Sequence, residues 1–122
     1  MKFTYIKLLD KGVYKVTEEM TDVNMVSFKI ISNVGMAKSL VMEALYAAKE
    51  GDFVLAEDKL KESTTYFGEG HKAHAAIIQK EASGEKVEIS LILMHAEDQL
   101  LNTETMSELV KEMIEMYKRV DK

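Results

Sequence analysis

Cysteine, proline and tryptophan are all missing from this 122-residue chain. Without cysteine there are no disulfides, no thiolate nucleophile and no soft-metal site, a composition that fits the reducing cytoplasm. Without proline, no helix interior loses a backbone donor. Positive charge is short as well: 16 Lys and Arg against 21 Asp and Glu leave a net charge of −5. With no local basic cluster to offset it, that sign excludes a general nucleic-acid binder. Apolar runs extend only a few residues, against the roughly 20 needed to span a bilayer, and the segment Met1 to Asp10 lacks a signal-peptide core. There is no Gly-x-Ser-x-Gly elbow, no glycine-rich phosphate loop, no internal repeat and no low-complexity linker. The expectation is one soluble, cytoplasmic domain, since a chain of this length is long enough for a single hydrophobic core.

What is present is helical periodicity. Val23, Val26, Ile30, Val34, Ala37, Val41, Ala44 and Ala48 recur every three or four residues, a spacing that strand alternation cannot sustain. The segment closes at Gly51-Asp52, where glycine suits a left-handed cap and Asp52 suits the N-cap of the next helix. A second stripe runs Phe53, Ala56, Leu60, Phe67, His71, His74 and Ile78, and stops at Ser83-Gly84. A third helix is predicted from near Val87 to about Lys118, with Leu91, Met94, Asp98, Leu101, Thr105, Leu109, Met113 and Met116 down its packing face. Three helices of about thirty residues joined by short turns make an all-α, up-down-up antiparallel bundle roughly 45 Å long. Residues 1–19 follow no helical period and form an N-terminal extension: either Met20 is the true start of the protein, or the extension is a short arm or hairpin laid on the bundle. The domain proper is 20–122.

Three histidines and one misplaced acid could carry chemistry. His71 and His74 share the stripe of helix two, where a packed, hydrogen-bonded role is the ordinary expectation. A di-iron bundle needs Glu-x-x-His, yet Gly68, His71 and Ile92 stand three residues before the histidines; the zinc pattern His-x-x-x-His is also missing. His95 is the better nucleophile, because a neutral imidazole offers a nitrogen lone pair near physiological pH without an activating base. Gln99, one turn on, could fix the ring or steady an attached oxyanion, or could simply be solvated. Asp98 lies on the apolar stripe with no Lys or Arg partner there, and an unpaired buried carboxylate is costly. Either it sits at the edge of the stripe, or copies of helix three meet on a symmetry axis and their carboxylates share one divalent cation, with hard oxygen donors suiting magnesium. The nine methionines, most of them core filling, also suit adaptable docking surfaces. A structural helical trimer and a metal-binding bundle in which His71, His74 and His95 converge stay open as rival readings.

Four segments carry a resemblance: Gly35-Met-Ala-Lys-Ser-Leu40, the run from Glu43 to Phe53, the run from His71 to Glu85, and Val87-Glu-Ile-Ser-Leu-Ile-Leu-Met-His-Ala-Glu-Asp98. Over roughly Met20 to Lys118 the chain resembles the IIA component of the lactose/cellobiose class of the bacterial phosphoenolpyruvate-dependent sugar phosphotransferase system. The family motif is His-Ala-Gln-Asp-His-Leu. On that match the resemblance implies that His95 is the phosphohistidine and Asp98 the magnesium ligand at the axis of a homotrimer. It implies phosphoryl transfer from phospho-HPr to a cysteine of a IIB component, which in turn serves the membrane IIC component, with no direct sugar binding. Cellobiose or a related β-glucoside is the sugar implied by His71-Lys-Ala-His74 and by Leu93 to Gln99. Two positions depart from the motif: Glu97 stands for the usual Gln, and Gln99 for the usual second His.

Overall fold

The computed structural model describes the backbone of residues 5–9, 12–16 and 18–121 and the side chains of residues 23–121. An antiparallel hairpin comes first, β1 (Tyr5–Leu9) paired with β2 (Gly12–Val16) from Tyr5 opposite Val16 to Leu9 opposite Gly12. Three helices follow: α1 (Glu18–Lys49), α2 (Phe53–Ala82) and α3 (Leu91–Val120). They form the expected up-down-up bundle. Since α1 begins at Glu18, a division between residues 19 and 20 falls inside that helix.

Both connections are built by glycine. Gly51 adopts φ +80°, which lets its amide reach the Ala48 carbonyl at 3.0 Å and the Asp52 amide reach Ala47 at 2.9 Å. Those two bonds satisfy carbonyls that the end of α1 would otherwise leave open. Asp52 then turns to its second task, accepting the Leu55 amide on Oδ1 at 3.0 Å. Gly84, at φ +92°, repeats the closure for α2 with Gly84 to Glu81 at 3.0 Å and Glu85 to Lys80 at 3.3 Å.

The stripe read from α1 forms the centre of the molecule: Ile30, Val34, Ala37, Val41, Ala44 and Ala48 are all buried. By length and composition alone Val23–Lys49 could also cross a membrane, but here its apolar face lines a protein core. That core has two parts. One gathers Val41, Ala44, Ala47, Ala48, Ala56, Leu60, Val110 and Ile114, and the other Ile30, Val34, Ile77, Leu93, Ala96 and Leu100. In the first, the small residues Ala44, Ala47, Ala48 and Ala56 bring α1 and α2 together. A Cβ built on Gly70 would stand 2.8 Å from Val34 Cγ2, so glycine there sets how closely the helices approach. Between the two parts lies a cavity of about 290 Å³ lined by Ala37, Val41, Phe67, His71 and Thr103 among others. The buried Thr103 Oγ1 beside it has no hydrogen-bond partner among the described residues. Polar pairs tie α2 to α3 on either side of this waist, His74 with Glu97 and Lys118 with Glu57 at 3.1 Å. Glu115 and Glu57 beside Lys118 raise its amine pKa above the usual range.

Two expectations are corrected. The third helix starts at Leu91, not near Val87, because Ser90 in an extended conformation takes the N-cap and accepts the Leu93 amide on Oγ at 3.2 Å. More consequentially, the stripe assigned to packing on α3 does not pack within the chain. Leu91 is 83% exposed, Met94 57%, Leu101 57% and Met116 64%, with Leu109 and Met113 also exposed. The buried face is the opposite one, Leu93, Ala96, Leu100, Thr103, Val110 and Ile114. It too repeats at three and four, so α3 carries two stripes, of which the sequence reading singled out the outer one. A smaller shift affects α2, where Ile77 is buried and Ile78 exposed.

Candidate functional site

His95 is the fifth residue of α3. Leu91 one turn back and Met94 immediately before it are exposed with it, and no hydrogen bond to its ring exists among the described residues. An imidazole so placed is open to an incoming group and has no internal base attached to it. Asp98 is exposed one turn further on and accepts the Asn102 Nδ2 donor on Oδ1 at 3.0 Å. The carboxylate expected to lack a partner in its own chain thus has a neutral one, and is not buried by its own fold. Its second oxygen makes no bond among the described residues.

Glu97 faces another way. At about 100° per residue, His95 lies roughly 60° to one side of Asp98 on the helix and Glu97 roughly 100° to the other. Glu97 is half-buried and its Oε1 accepts the Nε2 hydrogen of His74 from α2. The structure therefore brings His74 and Glu97 together and separates them from His95 within one chain. Gln99 is half-buried. His71 is exposed, against the expectation that it packs in the stripe; it lines the mouth of the waist cavity with its ring centroid 6.3 Å from that of Phe67. Among the described residues no three His, Cys, Asp or Glu side chains gather as a metal cluster, so His71, His74 and His95 do not converge and the metal-bundle alternative loses its ligand set. Sequence reasoning gave no hint of the His74–Glu97 contact, because the rotation of α3 against α2 decides it.

An open imidazole on a helix suits group transfer between proteins. A family model described as the PTS system, lactose/cellobiose specific IIA subunit, matches residues 25–118. The chain belongs to that family. The lactose-specific EIIA component of Staphylococcus aureus (strain N315) is 36% identical over 98 residues, covering 80% of this chain and 95% of its own. The crystal structure of a cellobiose-specific enzyme IIA from Bacillus anthracis superposes with a TM-score of 0.80 at 38% identity, over 87% of this chain and 94% of that one. The IIA component in the solution structure of the IIA(chitobiose)–HPr complex of the Escherichia coli phosphotransferase system gives a TM-score of 0.72 at 32% identity, over 82% and 97%. A IIA subunit of this family is a phosphotransferase component, carrying phosphoryl groups for sugar uptake.

Proposed function

We propose that His95 is the residue that carries the phosphoryl group, received from phospho-HPr and passed to a cysteine of a IIB component. The observation that supports this is the exposed, unbonded imidazole of His95 near the start of α3. Its lone pair attacks phosphorus as the bond to the donor histidine breaks, and the next step reverses the geometry toward the thiolate. Such transfers need in-line approach and charge stabilisation more than covalent machinery, so two docked proteins can supply the site between them. Incubation with phosphoenolpyruvate, the general phosphotransferases and HPr should place one acid-labile phosphate on His95. His95→Gln, similar in size and polarity, should fold and accept none; acceptance by that variant would overturn the assignment, and a structural trimer without transfer would be left.

The exposed stripe of α3 supports a homotrimer. Leu91, Met94, Asp98, Leu101 and Thr105 repeat at alternating spacings of three and four, the pattern of a coiled-coil seam. One chain offers one carboxylate with an open oxygen, so a cation on this seam requires several copies. The hard carboxylate oxygens of three Asp98 residues fit Mg2+ or a similar divalent ion, which when bound would offset their mutual repulsion. Chelation should loosen the trimer, and Asp98→Leu should make it indifferent to metal. A metal-indifferent monomer by light scattering would overturn both statements.

The compartment is the cytoplasm, where the IIB component and, through it, the membrane IIC component receive the group. The sugar is cellobiose or a related β-glucoside, supported by the likeness of His71 to His74 and Leu93 to Gln99 to that branch. Transfer to purified IIB components of the cellobiose, chitobiose and lactose types tests this. A preference for the lactose type by about tenfold, or about 1.4 kcal/mol of barrier, would overturn it.

A further inference from the structure

Asp98 shared on a three-fold axis fixes more than the metal. Three equivalent carboxylates at one height require the α3 helices to run parallel, with their Leu91–Thr105 stripes turned inward. His95 and Glu97 then flank the seam on opposite sides. Three-fold symmetry lays one flank of each helix against the other flank of the next, so the His95 edge of one copy meets the Glu97 edge of its neighbour. Along the axis the two residues differ by two steps, about 3 Å, which a glutamate side chain spans. The Glu97 carboxylate is ready for a second bond: His74 holds its Oε1, while the side chain keeps 37% of its surface exposed.

We propose that the active imidazole is oriented across the subunit boundary: Glu97 of the partner subunit, anchored by the partner subunit's His74, accepts the N–H of His95. A carboxylate on one ring nitrogen fixes the tautomer and leaves the lone pair of the other nitrogen for phosphorus. Glu97 is thus a positioning residue, and His74 the group that keeps it in place. The inference rests on the trimer and on His95 as acceptor. It also gives the departure at position 97 a physical meaning, since the carbonyl oxygen of a glutamine can accept the same hydrogen.

The test is complementation between subunits. Glu97→Leu should leave the trimer intact and slow acceptance from phospho-HPr by about tenfold or more, whereas Glu97→Gln should retain most of the rate. His74→Ala should slow acceptance in the same direction. Trimers are then reassembled from a mixture of Glu97→Leu and His95→Gln chains, the first slowed and the second inactive alone. Where an intact His95 lies beside an intact Glu97 of the other chain, the rate should rise above the weighted mean of the two parents. A mixed rate equal to that mean, in proven mixed trimers, would overturn the cross-subunit role while leaving the trimer and His95 standing. A Glu97→Leu protein as fast as the parent would do the same. Scattering from a monomer would remove the trimer and this inference together, and acceptance by His95→Gln alone would remove the acceptor.

Discussion

The two faces of α3 are made of similar residues and meet opposite fates. Leu93, Ala96, Leu100, Thr103, Val110 and Ile114 are buried against α1 and α2, while Leu91, Met94, Leu101, Leu109, Met113 and Met116 stand in solvent on the other side. Hydrophobicity alone does not distinguish them. The inner face contains the small residues that permit close packing, Ala96 in the cluster around Ile30 and Val34 and Thr103 at the waist, whereas the outer face has long, adaptable side chains around a single acid. The inner stripe makes the protomer; the outer one is left uncovered by the protomer's own helices. Apolar exposure on this scale along one helix is the mark of an interaction surface.

Leu100→Ala attacks the inner face where Leu100 is 3% exposed, and should cost about 2–5 kcal/mol in urea unfolding. A loss well below that range would mean the inner face is not the one that holds the protomer. Gly70→Ala should cost about 1–3 kcal/mol by forcing a methyl group onto Val34. In a Val34→Ala background the same change should become nearly neutral, and persistence of the full cost would show that the approach of α1 to α2 is not limited by that contact. Leu101→Ala sharpens the contrast from the other side. Diluted to the monomer it should change stability by no more than about 0.5 kcal/mol, yet it should weaken the trimer seen by light scattering; equal harm to both would erase the difference between the faces. Smallest of all, removal of residues 1–16 should leave phosphoryl acceptance unchanged, because a two-stranded hairpin contributes little stability of its own. A large loss with the trimer intact would assign the hairpin to the site.

Much of the fold was legible because its signals are local. The α1 stripe, the glycine at position 51, the Asp52 cap and the stop at Ser83-Gly84 each depend on a few adjacent residues, and each is found where the spacing put it. The outer stripe of α3 was legible as a stripe, but its destination was not, since periodicity reports that a face is apolar without saying what covers it. Leu93, Leu100 and Ile114 show the same period, and only the packing of three helices decides which set turns inward. His95 and Asp98 were visible through type, spacing and family motif. The His74–Glu97 pair joins positions 23 residues apart on different helices, and the orphaned hydroxyl of Thr103 reflects a gap between clusters; neither leaves a trace in local pattern. The start of α3 was misread for a related reason. Val87 extends the apolar spacing backwards, but Ser90 offers the chain a side-chain cap, and a satisfied amide prevails over one more apolar residue.

That later start has an electrical consequence. Had α3 begun near Val87, Glu88 would have occupied its first turn and neutralised the positive end of the helix. With Ser90 as cap, the first turn holds no acid, and Lys118 and Arg119 stand in the last turn at the opposite pole. Side chains on a helix lean toward its N-terminus, so the ring of His95 points back toward peptide dipoles that no carboxylate in that turn has cancelled. A dianionic phosphoryl group on His95, as proposed above, would sit just past that first turn, where the favourable field of the terminus has already fallen well below its value at the cap. Four residues of delay in starting a helix thus leave the terminus nearest His95 with no carboxylate in its first turn.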